Sequence, residues 1–108
     1  MSKTPQLNAD SSNLASMVVD VEHGVVRASG ELDIGGAPAM RNALRQVCVE
    51  HAEVVIDMAG VTFMDSTGLR ELLRATSDGH RVVLRRVPEQ VRALLSMAGV
   101  EPLFSFEG

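Results

Sequence analysis

Asp65-Ser66-Thr67-Gly68 is the segment of this 108-residue chain whose residue types and spacing offer chemistry. It stands between an apolar run, Val54-Val55-Ile56, and a stretch in which Leu69, Leu72, Leu73 and Thr76 recur at helical spacing. Arg70, Glu71, Arg74 and Asp78 fall mostly off that apolar face. At such a boundary Asp, Ser and Thr side chains accept hydrogen bonds from the unpaired N–H groups of the first helical turn, which contributes about 1 kcal/mol. The same position supports a second chemistry. A helix N-terminus presents free donors and about half a positive charge, so a hydroxyl there takes a phosphate without unfolding the domain. A phosphate on Ser66 adds about −2 charge beside the anionic Asp65, and a protein docked on the neutral serine would then meet a poorly paired dianion.

Other chemistries fit less well. A serine hydrolase places its nucleophile in G-x-S-x-G, whereas Ser66 is framed by Met64-Asp65 and Thr67-Gly68, without the first glycine. The sequence holds no G-x-x-x-x-G-K-[ST], so a nucleotide loop is unsupported. His23, His51 and His80 lie near turns or helix ends at no metal-ligand spacing and read as solvated loop residues. The single cysteine, Cys48, sits on an apolar stripe and reads as core; it excludes an internal disulfide and a cysteine-rich zinc site. Neither an enzyme nor a metal or cofactor is expected. Met97 and Phe104 are expected to be partly exposed and to offer an apolar contact surface.

The elements that position Ser66 follow from periodicity. Residues 1–16 are polar without a period and are expected to form a flexible leader, with the folded domain over 17–108. Met17–Val21 and Val25–Ser29, separated by Glu22-His23-Gly24, predict a β-hairpin. A helix opens at Ala37-Pro38, with Met40, Ala43, Leu44, Val47 and Cys48 on one side. Glu53–Met58 predicts a strand covered on both faces, because its apolar run has no alternation. A short turn then leads to the Ser66 helix, closed by Asp78-Gly79. Arg81–Val87 predicts a strand, Val87-Pro88-Glu89 opens a third helix ended by Gly99, and Leu103–Phe106 a last short strand. Alternating strands and helices favour an α/β domain: a mixed four- to five-stranded sheet with an N-terminal hairpin and packed helices.

Composition narrows the partners. With a net charge of −4 and pI near 5.2, the chain lacks the cationic excess that nucleic acid or an anionic membrane surface demands. At 3% aromatic, with no Trp or Tyr, it has little to stack bases on. No apolar run approaches the ~18 residues of a membrane span and no secretory signal opens the chain, which makes the cytoplasm the expected location.

Thr62-Phe63-Met64-Asp65-Ser66-Thr67-Gly68-Leu69 resembles the signature of STAS domains, specifically the bacterial anti-sigma factor antagonists. Gly30-Glu31-Leu32-Asp33 before Ala37-Pro38, and Ser96-Met97-Ala98-Gly99-Val100 before Phe104, resemble further stretches of that family, so the likeness covers residues 17–106. It implies that Ser66 is phosphorylated by an anti-sigma factor that is also a serine kinase, and that a serine phosphatase resets it. The unphosphorylated form would bind the anti-sigma factor and free the sigma factor, making the chain a phosphoprotein that regulates transcription by partner switching. By the same resemblance Asp65 shapes the kinase-facing site, Asp33 lies in a nearby loop of the binding surface, and Thr67, Gly68 and Leu69 complete the helix entry. Gly35-Gly36 departs from the pattern, since many members have a polar residue before Ala-Pro. The alternative implied is a STAS accessory subunit of a lipid or anion transporter.

Overall fold

The computed structural model describes residues 14–108. Strands β1 (Ser16–Asp20) and β2 (Val25–Leu32) are followed by α1 (Ala37–Cys48), β3 (Glu53–Met64) and α2 (Ser66–Ser77). Then come β4 (Arg81–Arg85), α3 (Glu89–Ala98), a 3-10 turn at Glu101–Leu103 and β5 (Ser105–Glu107). The five strands lie side by side in chain order, β1 antiparallel to β2 and every later pair parallel. This is the mixed α/β sheet with an opening hairpin that the sequence predicts, and Gly24 closes the hairpin at φ +69°. Of the leader expected over 1–16, residues 1–13 lie outside the described residues, and Ser16 is already paired with Ser29 in β1.

Crossovers between neighbouring parallel strands are right-handed, which puts successive helices on the same face of the sheet. Met40 and Val47 of α1, Leu72 of α2, and Val91 and Leu95 of α3 accordingly share one core with Val26, Ile56 and Leu84. Cover on both faces, expected from Val54-Val55-Ile56, is not what forms. Val54 and Ile56 enter the core, while Val55 is half-buried and lies in register between Val25 and Val83. Two residues further along the same face stand Arg27, Asp57, Arg85 and Glu107, in register from β2 to β5 and alternating in sign. Cross-strand pairs of opposite charge hold neighbouring strands together, and Arg85 Nε donates to Glu107 Oε1 at 3.0 Å.

Strand β3 is six residues longer than the Glu53–Met58 expected, and no turn follows Met58. The cause lies in its register with β2. From Arg27 to Ser29 the partner advances from Asp57 to Gly60, and from Gly30 to Glu31 it advances from Val61 to Phe63. Each extra residue on β3 is a bulge, which breaks the two-residue burial period and mimics a turn in the sequence. The bulged strand carries the chain to the end of β2 before the helix begins.

Asp57 is only 3% exposed. Burial pushes its carboxyl pKa up, but the Arg86 guanidinium and the Ala59 N–H outweigh burial and hold it below the usual value. A carboxylate depressed in the folded state contributes stability that is full above its unfolded pKa, about 4, and is lost as pH falls through the lower folded pKa. Asp57→Asn should therefore lower the urea midpoint at pH 7, and the gap from wild type should close as the pH drops below 4. A gap that stays constant from pH 7 to pH 3 would show that the ion pair contributes nothing.

The three histidines precede the strands at the end of the sheet opposite the mouth of α2. His51 Nε2 lies 2.6 Å from the Val21 carbonyl oxygen and His80 Nδ1 3.0 Å from that of His51, so both tie loops together. Among the described residues no three His, Cys, Asp or Glu side chains are grouped to hold a metal ion, and no helix is long and apolar enough to cross a membrane. Met97 is exposed as expected, but Phe104 is buried in the core because the 3-10 turn folds it under the sheet edge.

Candidate functional site around Ser66

Ser66 is the first residue of α2 and is exposed to solvent. Four contacts fix the chain on either side of it. The Gln90 side-chain amide, from the first turn of α3, clamps Met64: Met64 N–H donates to Oε1 at 2.9 Å and Nε2 donates to the Met64 carbonyl at 2.8 Å. The amide thus imitates a neighbouring strand where β3 ends. Asp65 is extended (φ −118°, ψ −170°) and its Oδ1 accepts from Thr67 N–H at 2.9 Å and Gly68 N–H at 3.3 Å. That is the N-cap expected of a polar residue here, filled by Asp65 rather than by Ser66. The Ser66 hydroxyl is thereby left free of the capping duty.

The cap leans on β2. Asp65 N–H donates to the Leu32 carbonyl, and a Cβ placed on Gly68 would lie 2.2 Å from that same oxygen. Asp33, the next residue along, starts the loop into α1. Its Oδ1 accepts from Gly35 N–H at 3.0 Å and Gly36 N–H at 3.2 Å, and its carbonyl accepts from Ala37 N–H at 2.9 Å. Gly36 caps α1 with no side-chain bond, so Asp33 organises that helix entry from three residues upstream. The structure therefore brings Asp33, Asp65, Ser66 and Thr67 to the carboxyl ends of β2 and β3, the end of a parallel sheet where sites form in open α/β folds. Ile34, at 78% exposed, projects from the same loop.

Two of the residues expected at the binding surface are placed beneath it. Gly68 and Leu69 are both buried, Leu69 in the core, so they support the first turn of α2 and are not available for contact. Gln90 escaped the sequence reading, because one amide on a third helix bears no local signal of a bond to residue 64. Glu71 is a second difference: placed mostly off the apolar face by its spacing, it is 3% exposed, held by Arg41 at 3.2 and 2.9 Å. No sequence period reports a charge whose partner sits 30 residues away.

The profile described as "Mlab, STAS domain" matches residues 16–105, essentially the whole described region. A STAS-domain containing protein of Pseudomonas aeruginosa is 26% identical over 89 residues, covering 79% of this chain and 88% of that protein. The crystal structure of an anti-sigma factor antagonist from Mycobacterium paratuberculosis superposes with a TM-score of 0.72 at 29% identity, over 86% of this chain and 85% of that one. Murine Solute Carrier 26 family member A9, an anion transporter, matches at 18% identity and a TM-score of 0.62, over 89% of this chain but 20% of its own length. At that identity the transporter shares the fold alone. With the profile spanning the sheet and all three helices, the chain belongs to the STAS-domain family.

Proposed function

We propose that this chain is an anti-sigma factor antagonist, a non-enzymatic regulator that acts by binding and is switched by phosphorylation of Ser66. The observation that carries the reading is the exposed Ser66 hydroxyl at the mouth of α2, with the capping role already taken by Asp65. The similarity to the mycobacterial antagonist over nearly the full length of both chains supports the same role. In this reading the unphosphorylated form binds an anti-sigma factor that is also a serine kinase, and so releases the sigma factor; a serine phosphatase restores the binding form. Asp33, Asp65 and Thr67 shape the surface around Ser66, and Gly68 and Leu69 hold it in place. The cytoplasm is the compartment where such partners meet.

Incubation with a candidate anti-sigma kinase and ATP, followed by intact-mass measurement, tests the reading. The wild type should gain about 80 Da, the mass of one phosphoryl group, and Ser66→Ala should gain nothing. Full modification of Ser66→Ala would overturn the assignment. The second reading, an accessory subunit of a lipid or anion transporter, draws on the family profile's description and on the fold shared with the transporter. Stable co-purification with a membrane transporter, unaffected by Ser66→Glu, would favour it.

A further inference from the structure

Arg70 stands one turn after Ser66 on α2, and both residues are exposed. Residues four apart on a helix share a face, with Cβ atoms about 6 Å from each other. Helical side chains also tilt toward the N-terminus, so the long Arg70 side chain can reach back over the turn that Ser66 begins. Among the described residues Arg70 makes no ion pair. Its neighbours three and four residues away are Ser66, Thr67, Leu73 and Arg74, none of them acidic. Arg74 leans on Glu71 instead, its Nε 3.7 Å away, and Arg41 donates to both oxygens of that carboxylate. The cation nearest Ser66 along α2 is the one left without a carboxylate.

The backbone donors beside Ser66 are mostly engaged. Asp65 Oδ1 accepts from the Thr67 and Gly68 N–H groups, and the Asp65 carbonyl accepts from Leu69 N–H at 3.0 Å. Of the first four N–H groups of α2, that of Ser66 alone is left to an incoming anion. Asp33 and Asp65, the carboxylates on this surface, both repel one. A phosphate on Ser66 thus finds few donors in the helix mouth itself. A guanidinium matches its oxygens in geometry as well as in charge.

We propose, on the reading of Ser66 as the phosphorylated residue, that the Arg70 guanidinium pairs with the phosphate across one helical turn and is the positioning residue of the modified state. An anion placed N-terminal to a cation at this spacing is the favourable order on a helix. The pair cancels about one of the roughly two added charges, so the surface still becomes more acidic and the switch keeps its sign.

The test uses the full chain with phosphoserine encoded at position 66, so that no kinase is needed, titrated by phosphorus NMR. A guanidinium close to the phosphate favours the dianion and lowers its second pKa, which is about 6 in the open. Arg70→Gln should raise that pKa by about half a unit, a roughly threefold tighter hold on the proton, at about 50 mM salt, and by less at about 500 mM. Arg70→Lys should recover part of the difference, being a point charge without the fork. Arg74→Gln removes the same charge one turn farther away and should shift the pKa less than Arg70→Gln. The Arg70 Nε–H resonance should also move when wild type is compared with its phosphorylated form. Arg70 is exposed and unpaired among the described residues, and unchanged circular dichroism will show the fold retained. Equal pKa values in wild type and Arg70→Gln overturn the pair, as does an equal shift from Arg74→Gln. The two readings fail separately: a kinase that adds no phosphate to wild type removes the switch, whereas an unmoved pKa in the encoded phosphoprotein removes the role of Arg70.

Discussion

A phosphoryl group on Ser66 should weaken binding of the anti-sigma partner by about 30-fold to several thousand-fold while leaving the fold intact. The first half follows from where the charge lands. Ser66 is exposed, next to Asp65 and one residue from the half-buried Thr67, so a partner seated on it covers a hydroxyl flanked by a single carboxylate. Phosphorylation adds about −2 at that contact, and a charge left poorly paired in an interface costs about 2–5 kcal/mol, each 1.4 kcal/mol being tenfold. The second half follows from the helix. Its first turn holds no acidic residue beyond the Asp65 cap, so the partial positive charge at the mouth of α2 offsets part of the new charge. Calorimetric titration of a candidate partner with protein carrying genetically encoded phosphoserine measures the first effect, and thermal melting the second. Ser66→Glu should show a smaller loss, having one charge in place of about two, and Ser66→Ala should bind within a few-fold of wild type. Equal affinity of the phosphorylated and unmodified forms would sink the switch, even if the kinase reaction succeeds.

Features set by short-range rules were readable from the chain. The starts of α1 and α2, the end of α3 and the faces of all three follow from Pro38, the Asp65 cap, Gly99 in the left-handed region at φ +72°, and apolar residues three and four apart. Asp65 and Ser66 were placed at the helix mouth for the same reason. What escaped depends on partners distant in sequence. The second half of β3 exists because β2 pairs with it across two bulges, and bulges erase the alternation by which a strand is recognised. Glu71 is buried because Arg41 reaches it from another helix, and Gln90 clamps Met64 because β3 ends within reach of α3. Asp33 lay on the site by resemblance, but its physical task, capping a helix whose own N-cap is glycine, is visible only in the loop geometry. The sequence thus located the hydroxyl and left hidden most of what holds it there.

Gly68→Ala tests that hidden support most severely, and it should destabilise the domain by about 2–4 kcal/mol. Nothing in the conformation of Gly68 demands glycine: it lies within α2, where alanine would be the better helix former by about 1 kcal/mol. The demand is for space. An added Cβ meets the Leu32 carbonyl oxygen at 2.2 Å and the Leu32 carbonyl carbon at 3.0 Å. That oxygen belongs to the end of β2, paired with β3, and has no rotamer by which to move aside. The first turn of α2 must instead retreat by about 1 Å to reach ordinary contact, stretching the Asp65 N–H to Leu32 bond that is already 3.4 Å long. Overpacking typically costs 1–3 kcal/mol, and a rigid backbone obstacle lies at the upper end or beyond. For a domain of this size the melting temperature should fall by roughly 10–30 °C. Gly79→Ala is the control: its φ of +93° strains any side chain, but the space around it is open, so its loss should stay near 1 kcal/mol. A Gly68→Ala protein melting within 2 °C of wild type would mean that α2 does not rest on β2. With that contact gone, so would be the reason for glycine two residues after Ser66: it lets the helix mouth sit directly against the Asp33 loop, making one surface of two.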